Sequence, residues 1–113
     1  MRKTFQKKSY WESVYEIVIL IPEGRVSTYG AIADYLALGS ARMVGWALNH
    51  CHDSEEFVPA HRVVNRKGEL SGRHQFETPS AMEEALLAEG VHVQKDKVVG
   101  FKKLFWHPEE LDH

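Results

Sequence analysis

Residues 27–49 decide the fold of this chain, and they read STYGAIADYLALGSARMVGWALN. Two short segments with apolar residues at helical spacing lie on either side of Gly39, and a hydroxyl residue precedes each of them. We predict a helix over residues 29–38, capped by Ser27 or Thr28 and ended by Gly39. Ser40 should cap a further helix that runs to about residue 49. Two short helices joined by a tight turn, behind a longer helix, form the helix-turn-helix arrangement.

The flanking segments predict two more helices. Helical spacing of apolar residues from about residue 5 to residue 20, with Thr4 as a cap, places a longer helix before the pair. Residues 78–90 begin with a capping Thr78 and a first-turn proline, Pro79, and they end in Gly90. This pattern predicts a fourth helix, whose apolar side carries Met82, Ala85 and Leu86.

Two turns between short apolar segments predict small hairpins. Val63-Val64 and Leu70 flank a turn at residues 66–68, which suggests a wing-like hairpin. Residues 91–93 and 98–101 flank a polar turn at residues 94–97 and suggest a second hairpin. We therefore expect one domain over residues 1–113, mainly α-helical with small β hairpins, of the winged helix-turn-helix class.

The helix after Ser40 should present two different faces. One face is small and apolar, so we expect it to pack inward; it consists of Ala41, Val44 and Leu48. The other face mixes a cation, a gap and polar tips, so we expect it to face outward; it consists of Arg42, Gly45, Trp46 and Asn49.

Charge is distributed unevenly along a chain whose formal net charge is −2. This balance gives no support by itself for binding to nucleic acid or to an acidic membrane surface. Arg62, Arg66, Lys67 and Arg73 nevertheless fall in one short stretch that only Glu69 opposes. Such a basic strip is compatible with phosphate contacts, although similar clusters often belong to solvated loops.

Cysteine usage and hydropathy indicate the compartment. Cys51 is the only cysteine, so an internal disulfide is impossible and a reducing environment fits best. The chain starts without a signal-like apolar run, and the apolar residues 17–21 are too few to span a bilayer. We expect a cytoplasmic protein without a membrane segment.

The stretch Pro59-Ala60-His61-Arg62-Val63 looks like an active-site loop that lacks a nucleophile. Alanine has neither a lone pair nor a titratable proton, so covalent catalysis cannot begin at Ala60. If the rest of the chain presents a substrate to this loop, the protein binds that substrate without turning it over.

Three separated motifs resemble the DNA-binding domain of O6-alkylguanine-DNA alkyltransferases. They are Val26-Ser27-Thr28-Tyr29-Gly30, Ala41-Arg42-Met43-Val44-Gly45 and Pro59-Ala60-His61-Arg62-Val63-Val64. Their order makes the resemblance specific, and it extends from about residue 5 to residue 105. In that family the residue between proline and histidine is the cysteine that accepts the alkyl group. With Ala60 in that position, the chain resembles the non-catalytic, alkyltransferase-like branch.

The resemblance implies roles for the helix-turn-helix residues. Tyr29 matches a tyrosine that pushes on the phosphate beside the target nucleotide, and Arg42 matches an arginine that fills the gap left by the extruded base. Ala41 and Gly45 would let the helix backbone approach the minor groove closely. Without the motifs, Tyr29 would be read as a packed residue at a helix start and Arg42 as a solvated surface cation.

The resemblance also implies a lesion pocket. Val58, Pro59, Ala60 and Tyr29 would line it. Arg73 would line it too, since it matches an arginine that contacts the flipped guanine, although a solvent-facing loop arginine is an equal alternative. Ala60, His61 and Glu89 match a reactive centre in which a histidine and a glutamate generate a thiolate. Here they would form a structural hydrogen-bond network instead.

The resemblance therefore implies a damage sensor that flips O6-alkylguanine, transfers no alkyl group and marks the site for nucleotide excision repair. We expect a monomer whose partners are damaged duplex DNA and excision-repair proteins, without a cofactor or a metal. Two alternatives stay open: an active alkyltransferase that uses Cys51 as acceptor, and a sequence-specific transcription regulator. His50-Cys51-His52 could suggest a metal site, but adjacent ligands without a second pair do not match zinc spacings.

Overall fold

The computed structural model describes residues 6–112, with side chains from Tyr10 to Leu111. Five α-helices span Gln6–Ile19 (α1), Tyr29–Tyr35 (α2), Ala41–Leu48 (α3), Ala81–Ala88 (α4) and Phe101–Leu104 (α5). Four two-residue strands span Ser27–Thr28 (β1), Val63–Val64 (β2), Val93–Gln94 (β3) and Lys97–Val98 (β4). The predicted cap Thr4 and the start of the first helix at residue 5 lie outside the described residues. The predicted class, mainly α-helical with small sheets, is confirmed.

The helix-turn-helix forms, but α2 ends three residues earlier than predicted. Thr28 caps it, because its hydroxyl accepts a hydrogen bond from the amide of Ala31 at 3.0 Å. The helix ends where Ala37 adopts a left-handed conformation with φ +57°, and the amide of Leu38 then donates to the carbonyl of Ala33. This closure is a helix C-cap, so Ala37 and not Gly39 ends the helix.

Helix α3 is held between α1 and α2. The hydroxyl of Tyr10 on α1 donates to the carbonyl of Met43 at 2.7 Å. The hydroxyl of Tyr15, one turn and a half later, donates to the carbonyl of Ala47 at 2.7 Å. These two bonds run along the buried side of α3 and turn its other side to solvent.

The predicted wing-like hairpin at residues 63–70 is wrong, although its turn forms. Val63 and Val64 are wholly buried and pair in parallel with Ser27 and Thr28. Beyond the turn, the amide of Leu70 donates to the carbonyl of Asp96 at 2.9 Å. The arms share one backbone bond beside the turn, from the amide of Asn65 to the carbonyl of Glu69 at 3.1 Å, but their outer residues have other partners in the tertiary structure.

The second hairpin is confirmed, with a tighter turn than predicted. Strands β3 and β4 are antiparallel, and both Lys95 and Asp96 between them have positive φ angles of +53° and +62°. Two successive residues with positive φ form a two-residue turn whose twist matches the right-handed twist of the two strands it joins. Residue 101, predicted as strand, instead begins α5 after Gly100, whose φ is +73°.

Helix α4 begins later than predicted and ends as predicted. Its first residue is Ala81, whose amide donates to the carbonyl of Thr78 and not to its side chain, so Thr78 is not the side-chain cap. Gly90 ends the helix in a left-handed conformation with φ +86°. The amide of Val91 then donates to the carbonyl of Leu86 at 2.9 Å.

Buried apolar side chains form two clusters. The first lies among α1, α2 and α3 and consists of Val14, Ile17, Val18, Ile21, Ile32, Ala33, Val44, Ala47, Leu48, Val58, Val63 and Trp106. The second lies under α4 and the β3–β4 hairpin and consists of Val26, Val64, Leu70, Met82, Leu86, Val91 and Val98. Strand β2 contributes to both clusters, because Val63 belongs to the first and Val64 to the second. Within residues 6–112, no helix is long and apolar enough to cross a membrane.

Candidate nucleic-acid interface

The solvent side of α3 carries the predicted outward face. Arg42, Trp46 and Asn49 are exposed, and a Cβ atom added to Gly45 would meet no other atom within 4 Å. Ala41 is also exposed, which corrects the prediction that it packs inward; Ala47 takes the buried position beside Val44 and Leu48. The reason is that Ala41 is the first residue of the helix, where no neighbouring element covers it.

Arg42 on this face has no bonding partner among the described side chains. Among the residues whose side chains are described, none forms a hydrogen bond or an ion pair with its guanidinium. An unpaired arginine on an exposed helix has its planar group and its donors available for a ligand. The structure therefore places Arg42 where insertion into a duplex would need no internal bond to break.

A cavity of about 740 Å³ opens beside α3. Three of the predicted pocket residues, Tyr29, Val58 and Ala60, line it, and so does Gly45 of α3. The remaining lining is Leu48, Asn49, Cys51, His52, Ser54, Glu55, Glu56, Phe57, Gly72, Gln75, Phe76, Glu77, Ala81 and Met82. Its size falls in the range of pockets for small organic groups, and a purine with a substituent is of that kind.

Pro59 shapes the wall of the cavity without lining it. It is buried, with φ −77° and ψ 69°, and the amide of Ala60 donates across it to the carbonyl of Val58 at 2.8 Å. This is an inverse γ-turn, and the proline ring favours the φ angle that it needs. The turn presents Ala60 to the cavity at the start of a short 3-10 helix, Ala60–Arg62.

Tyr29 is packed tightly at the inner end of the cavity. Burial raises the pKa of its hydroxyl, while a hydrogen bond with Ser71 lowers it. A Cβ atom at Gly72 would approach the Tyr29 hydroxyl oxygen to 2.6 Å, so any side chain at position 72 would displace that hydroxyl. The sequence patterns did not single out Gly72, because only the tertiary structure brings it against residue 29.

His61 and Glu89, predicted to share a network, are in direct contact. His61 Nε2 donates to Glu89 Oε2 at 2.6 Å. The guanidinium of Arg62 donates to both carboxylate oxygens, with its shortest bond at 2.7 Å, and also to the carbonyl of Ile21 at 2.9 Å. The amide of Gly24 adds a further donor to Glu89 at 3.2 Å. Arg62 is therefore committed to the interior and unavailable to DNA.

This network keeps the Glu89 carboxylate ionised. Burial opposes ionisation, but hydrogen bonds from Arg62, His61 and Gly24, and the charge of His61, outweigh it and lower the pKa to about 2. A carboxylate surrounded by donors is stabilised in its charged form. The Glu89 side chain therefore joins three parts of the chain: the end of α4, the loop that carries Ala60, and the turn at Gly24.

Arg73 does not line the cavity in this structure. Its guanidinium donates to the carbonyl of Leu70 at 3.1 Å and lies 3.7 Å from the carboxylate of Asp96. Its neighbour Gly72 does line the cavity. A contact between Arg73 and a bound base therefore stays a prediction, and it would require the pair with Asp96 to open.

Cys51 lines the same cavity as Ala60, half-buried beside the first core cluster. Burial raises the pKa of its thiol and the carboxylate of Asp53 raises it further, against a lowering backbone hydrogen bond. A thiol that resists ionisation is a poor nucleophile. The ring of His50 stacks on Trp11 at 4.6 Å, and the described residues contain no group of three His, Cys, Asp or Glu residues that could hold a metal ion.

Several cavity residues were not predicted. Phe57 is 77% exposed at the mouth and Phe76 is half-buried, so both offer aromatic faces to a ligand. Glu55, Glu56 and Glu77 also line the cavity, whereas no lysine or arginine among the described residues does. Acidic clusters at residues 55–56 were visible in the sequence, but their position beside Ala60 was not.

A family model and the sequences of known proteins point to the same family. Residues 9–91 match the family described as 6-O-methylguanine DNA methyltransferase, DNA binding domain. The alkyltransferase-like protein 1 of Schizosaccharomyces pombe is 38% identical over 104 residues, which cover 88% of this chain and 95% of that protein. The DNA base-flipping protein of Escherichia coli is 35% identical over 108 residues, which cover 93% of this chain and 80% of that protein.

A solved structure agrees with this relationship. The crystal structure of S. pombe Atl1 in complex with damaged DNA containing O6-carboxymethylguanine superposes with a TM-score of 0.78 at 34% identity. The match covers 96% of this chain and 100% of the other. The chain therefore belongs to the 6-O-methylguanine DNA methyltransferase family, by way of its DNA-binding domain, and to the alkyltransferase-like branch of that family.

Proposed function

We propose that this protein senses alkylation damage in duplex DNA without repairing it. It docks the exposed side of α3 in the minor groove, and Tyr29 and Arg42 assist the rotation of O6-alkylguanine out of the duplex. The extruded base enters the cavity beside Val58, Pro59 and Ala60. The observation that carries this proposal is the combination, on one side of the molecule, of an exposed Arg42 without a partner among the described side chains and a cavity of about 740 Å³.

The energetics of this process favour a damaged base over a normal one. Extrusion of a nucleotide costs on the order of a few kcal/mol, and less when the base is poorly paired. Contacts in the cavity and stacking of Arg42 must offset that cost. Because alkylation at O6 weakens pairing with cytosine, the same contacts leave a larger net gain for the lesion.

The proposal is tested by titrating matched duplexes that contain either guanine or O6-methylguanine at one position. We expect the damaged duplex to bind at least tenfold more tightly, and fluorescence of 2-aminopurine placed opposite or beside the lesion should rise on binding as the base unstacks. Equal affinity for the two duplexes, or a preference for one undamaged sequence, would support a sequence-specific regulator instead.

We propose that no alkyl group is transferred, and the residues around Ala60 support this. Ala60 cannot accept an alkyl group, and His61 and Glu89 are bonded to each other, and Glu89 to Arg62, rather than to a thiol. The protein–DNA complex therefore persists, and we propose that it marks the site for nucleotide excision repair. We further propose that the protein acts as a monomer in the cytoplasm.

Cys51 gives the second candidate function, because its thiol lines the same cavity. An alkyltransferase that used this thiol would move the methyl group from O6 of guanine to sulfur and leave normal guanine in the DNA. We expect no transfer, since burial raises the pKa of the thiol. Duplex DNA with a labelled O6-methyl group is incubated with the wild-type protein and with Cys51→Ser. Label on the wild-type protein but not on the variant would establish the alternative.

A further inference from the structure

A second concavity on the molecule is strongly basic. It has a volume of about 560 Å³ and is lined by Arg66, Lys67, Lys97, Val98, Gly100, Phe101, Lys102 and Lys103, and we name it the basic groove. Five of these eight residues are cations and none is a carboxylate. It shares no lining residue with the cavity at Ala60.

The five cations of the basic groove form no ion pair with a carboxylate among the described side chains. Among the described residues, no hydrogen bond or ion pair involves their side-chain nitrogens, whereas Arg25, Arg62 and Arg73 each pair with a carboxylate. The two nearest acids in sequence keep their negative charge, and Glu69 lies opposite Lys97 in an antiparallel bridge, but neither forms an ion pair with a cation of the groove. Glu69 accepts from the side-chain amide of Asn65 at 2.8 Å, and Asp96 faces Arg73.

Tertiary structure assembles the basic groove from three separate segments. Arg66 and Lys67 come from the turn before Gly68, Lys97 comes from β4, and the remaining two lysines come from α5. The amide of Val98 donates to the carbonyl of Gly68 at 2.8 Å, which ties the turn to the hairpin. The basic strip expected from residues 62–73 is thereby divided, because Arg62 and Arg73 pair elsewhere.

The floor of the basic groove is fixed by close packing. Gly68 has φ +82°, and a Cβ atom there would approach Cγ of Phe101 to 2.9 Å. Only glycine allows the Phe101 ring to lie against this turn while the backbone stays left-handed. Val98 beneath is 3% exposed and belongs to the second core cluster. The backbone that carries these cations is therefore held in place by packing against Phe101 and Val98.

We propose that the basic groove binds the phosphate backbone of the same duplex whose damaged base enters the cavity. This inference rests on the proposed function and adds a second contact surface to it. Unpaired cations gathered in a concavity attract a polyanion and release its counterions, even though the chain as a whole carries a net charge of −2. Lys67 lines the basic groove and Gly72 lines the cavity, so five residues of chain, at most about 18 Å when extended, separate the two surfaces.

DNA fits the basic groove better than a protein partner does. Protein interfaces bury aromatic and aliphatic anchors at their centres. Here the apolar lining is limited to Val98, which is already buried, and the half-buried ring of Phe101. A surface on which five of the eight lining residues are cations suits phosphates, which require charge and no hydrophobic pocket.

The test neutralises three cations in the variant Lys97→Gln, Lys102→Gln, Lys103→Gln. Affinity is measured at several salt concentrations for a duplex with O6-methylguanine and for its undamaged match. We expect both affinities to fall at least tenfold at about 0.1 M salt, with the ratio between them unchanged. The slope of log K against log salt should decrease by about 0.9 for each phosphate that the variant no longer neutralises. An unchanged slope would overturn the proposal.

Two controls separate local contact from net charge. Lys95→Gln removes an exposed cation of the β3–β4 turn that does not line the basic groove, and it should leave the slope nearly unchanged. Adding Glu12→Gln, Glu16→Gln and Glu23→Gln, all at exposed positions, to the triple variant restores the wild-type net charge. If that sixfold variant binds like the wild type, the effect is long-range and the groove is not a contact surface.

The outcomes also distinguish this inference from the proposed function. A wild-type protein that does not discriminate the damaged duplex, but loses affinity in the triple variant, would refute damage sensing and retain the basic groove as a DNA surface. A wild-type protein that discriminates the lesion, with a triple variant of equal affinity and slope, would refute only the basic groove.

Discussion

Arg42 is the residue on which lesion binding should depend most. We expect Arg42→Ala to weaken binding to O6-methylguanine DNA at least tenfold, about 1.4 kcal/mol, because the flipped-out state loses the group that fills its gap. Stability should change by less than about 0.5 kcal/mol, since the side chain is exposed and unpaired among the described residues. Fluorescence anisotropy and urea unfolding measure the two quantities.

Arg42→Lys is the matched variant for this prediction. It keeps the charge but lacks the planar group that stacks on bases, so it should retain phosphate attraction and lose most of the preference for the lesion. Unchanged lesion affinity in Arg42→Ala would show that α3 does not insert this residue.

Glu89 should make the free energy of unfolding depend on pH in the acidic range. Its pKa in the folded protein is about 2, below the value of 4.5 for a free glutamate, so its contribution to stability is complete above pH 4.5 and is lost as the pH falls towards 2. We expect Glu89→Gln to destabilise the protein by about 3 kcal/mol at pH 7, because Arg62 is left without its buried partner. The difference from wild type should shrink between pH 4.5 and pH 2.

Urea unfolding at a series of pH values measures this difference. Glu16→Gln on the exposed side of α1 is the control, and its small difference from wild type should not vary with pH. A Glu89→Gln protein whose destabilisation was the same at about pH 2.5 and pH 7 would show that the network does not hold the carboxylate ionised.

At the scale of elements, a substitution at Gly45 of α3 should change stability and DNA binding in opposite directions. A Cβ atom there meets nothing within 4 Å, so Gly45→Ala should not strain the fold. It should stabilise the helix by about 0.5–1 kcal/mol, because alanine has the higher helix propensity. Binding to DNA should nonetheless weaken several-fold, since the added methyl group lies between the helix and the groove. Thermal unfolding and DNA titration of one variant give both results.

An increase in stability together with undiminished DNA affinity would place the closest approach of DNA elsewhere on the protein.

The cavity should discriminate among adducts by charge. Glu55, Glu56 and Glu77 line it, and unit charges about 8 Å apart in water repel by about 0.5 kcal/mol. We expect an O6-carboxymethyl adduct to bind about threefold to thirtyfold more weakly than its neutral carbamoylmethyl analogue, which has nearly the same shape. Competition titrations in low salt measure the ratio.

Replacement of the three glutamates by glutamine should bring this ratio towards one, with little change in the affinity for O6-methylguanine. A ratio near one in the wild-type protein would mean that solvent screens these carboxylates from the bound adduct.

At the scale of the whole molecule, the two core clusters should unfold together. Strand β2 contributes to both, and Glu89 at the end of α4 bonds to His61 and Arg62, whose loop packs on the first cluster. Such connections couple the clusters, so we expect one cooperative transition for residues 1–113. Tryptophan fluorescence reports Trp11 and Trp106 at the first cluster together with the exposed Trp46 of α3, and it should follow the same curve as far-UV circular dichroism.

Two separate transitions by these probes would show that the clusters are independent units. The same two probes should be compared in Glu89→Gln, because this variant lacks the bonds from the Glu89 carboxylate to His61 and Arg62 that connect the clusters.

What the sequence determined by itself was local or carried by motifs. Helical spacing predicted α2 and α3, the polar run at residues 94–97 predicted the second hairpin, and Gly90 predicted the end of α4. Thr28 caps α2 as predicted, whereas Ser40 precedes α3 without a side-chain capping bond. Three ordered motifs pointed to the family, and Ala60 pointed to a loop without a nucleophile. Such signals depend on residues within one or two turns of each other, so a single chain displays them.

Only the tertiary structure decided which distant residues meet. Ala37 and not Gly39 adopts the left-handed backbone that ends α2, and Val63–Val64 pair with Ser27–Thr28, where both strands are buried. Arg62 is turned inward by Glu89, 27 residues away, while Lys97 and the α5 lysines join Arg66 and Lys67. Charge and spacing along a chain do not reveal these contacts, because long-range pairing is set by the shape of the whole core.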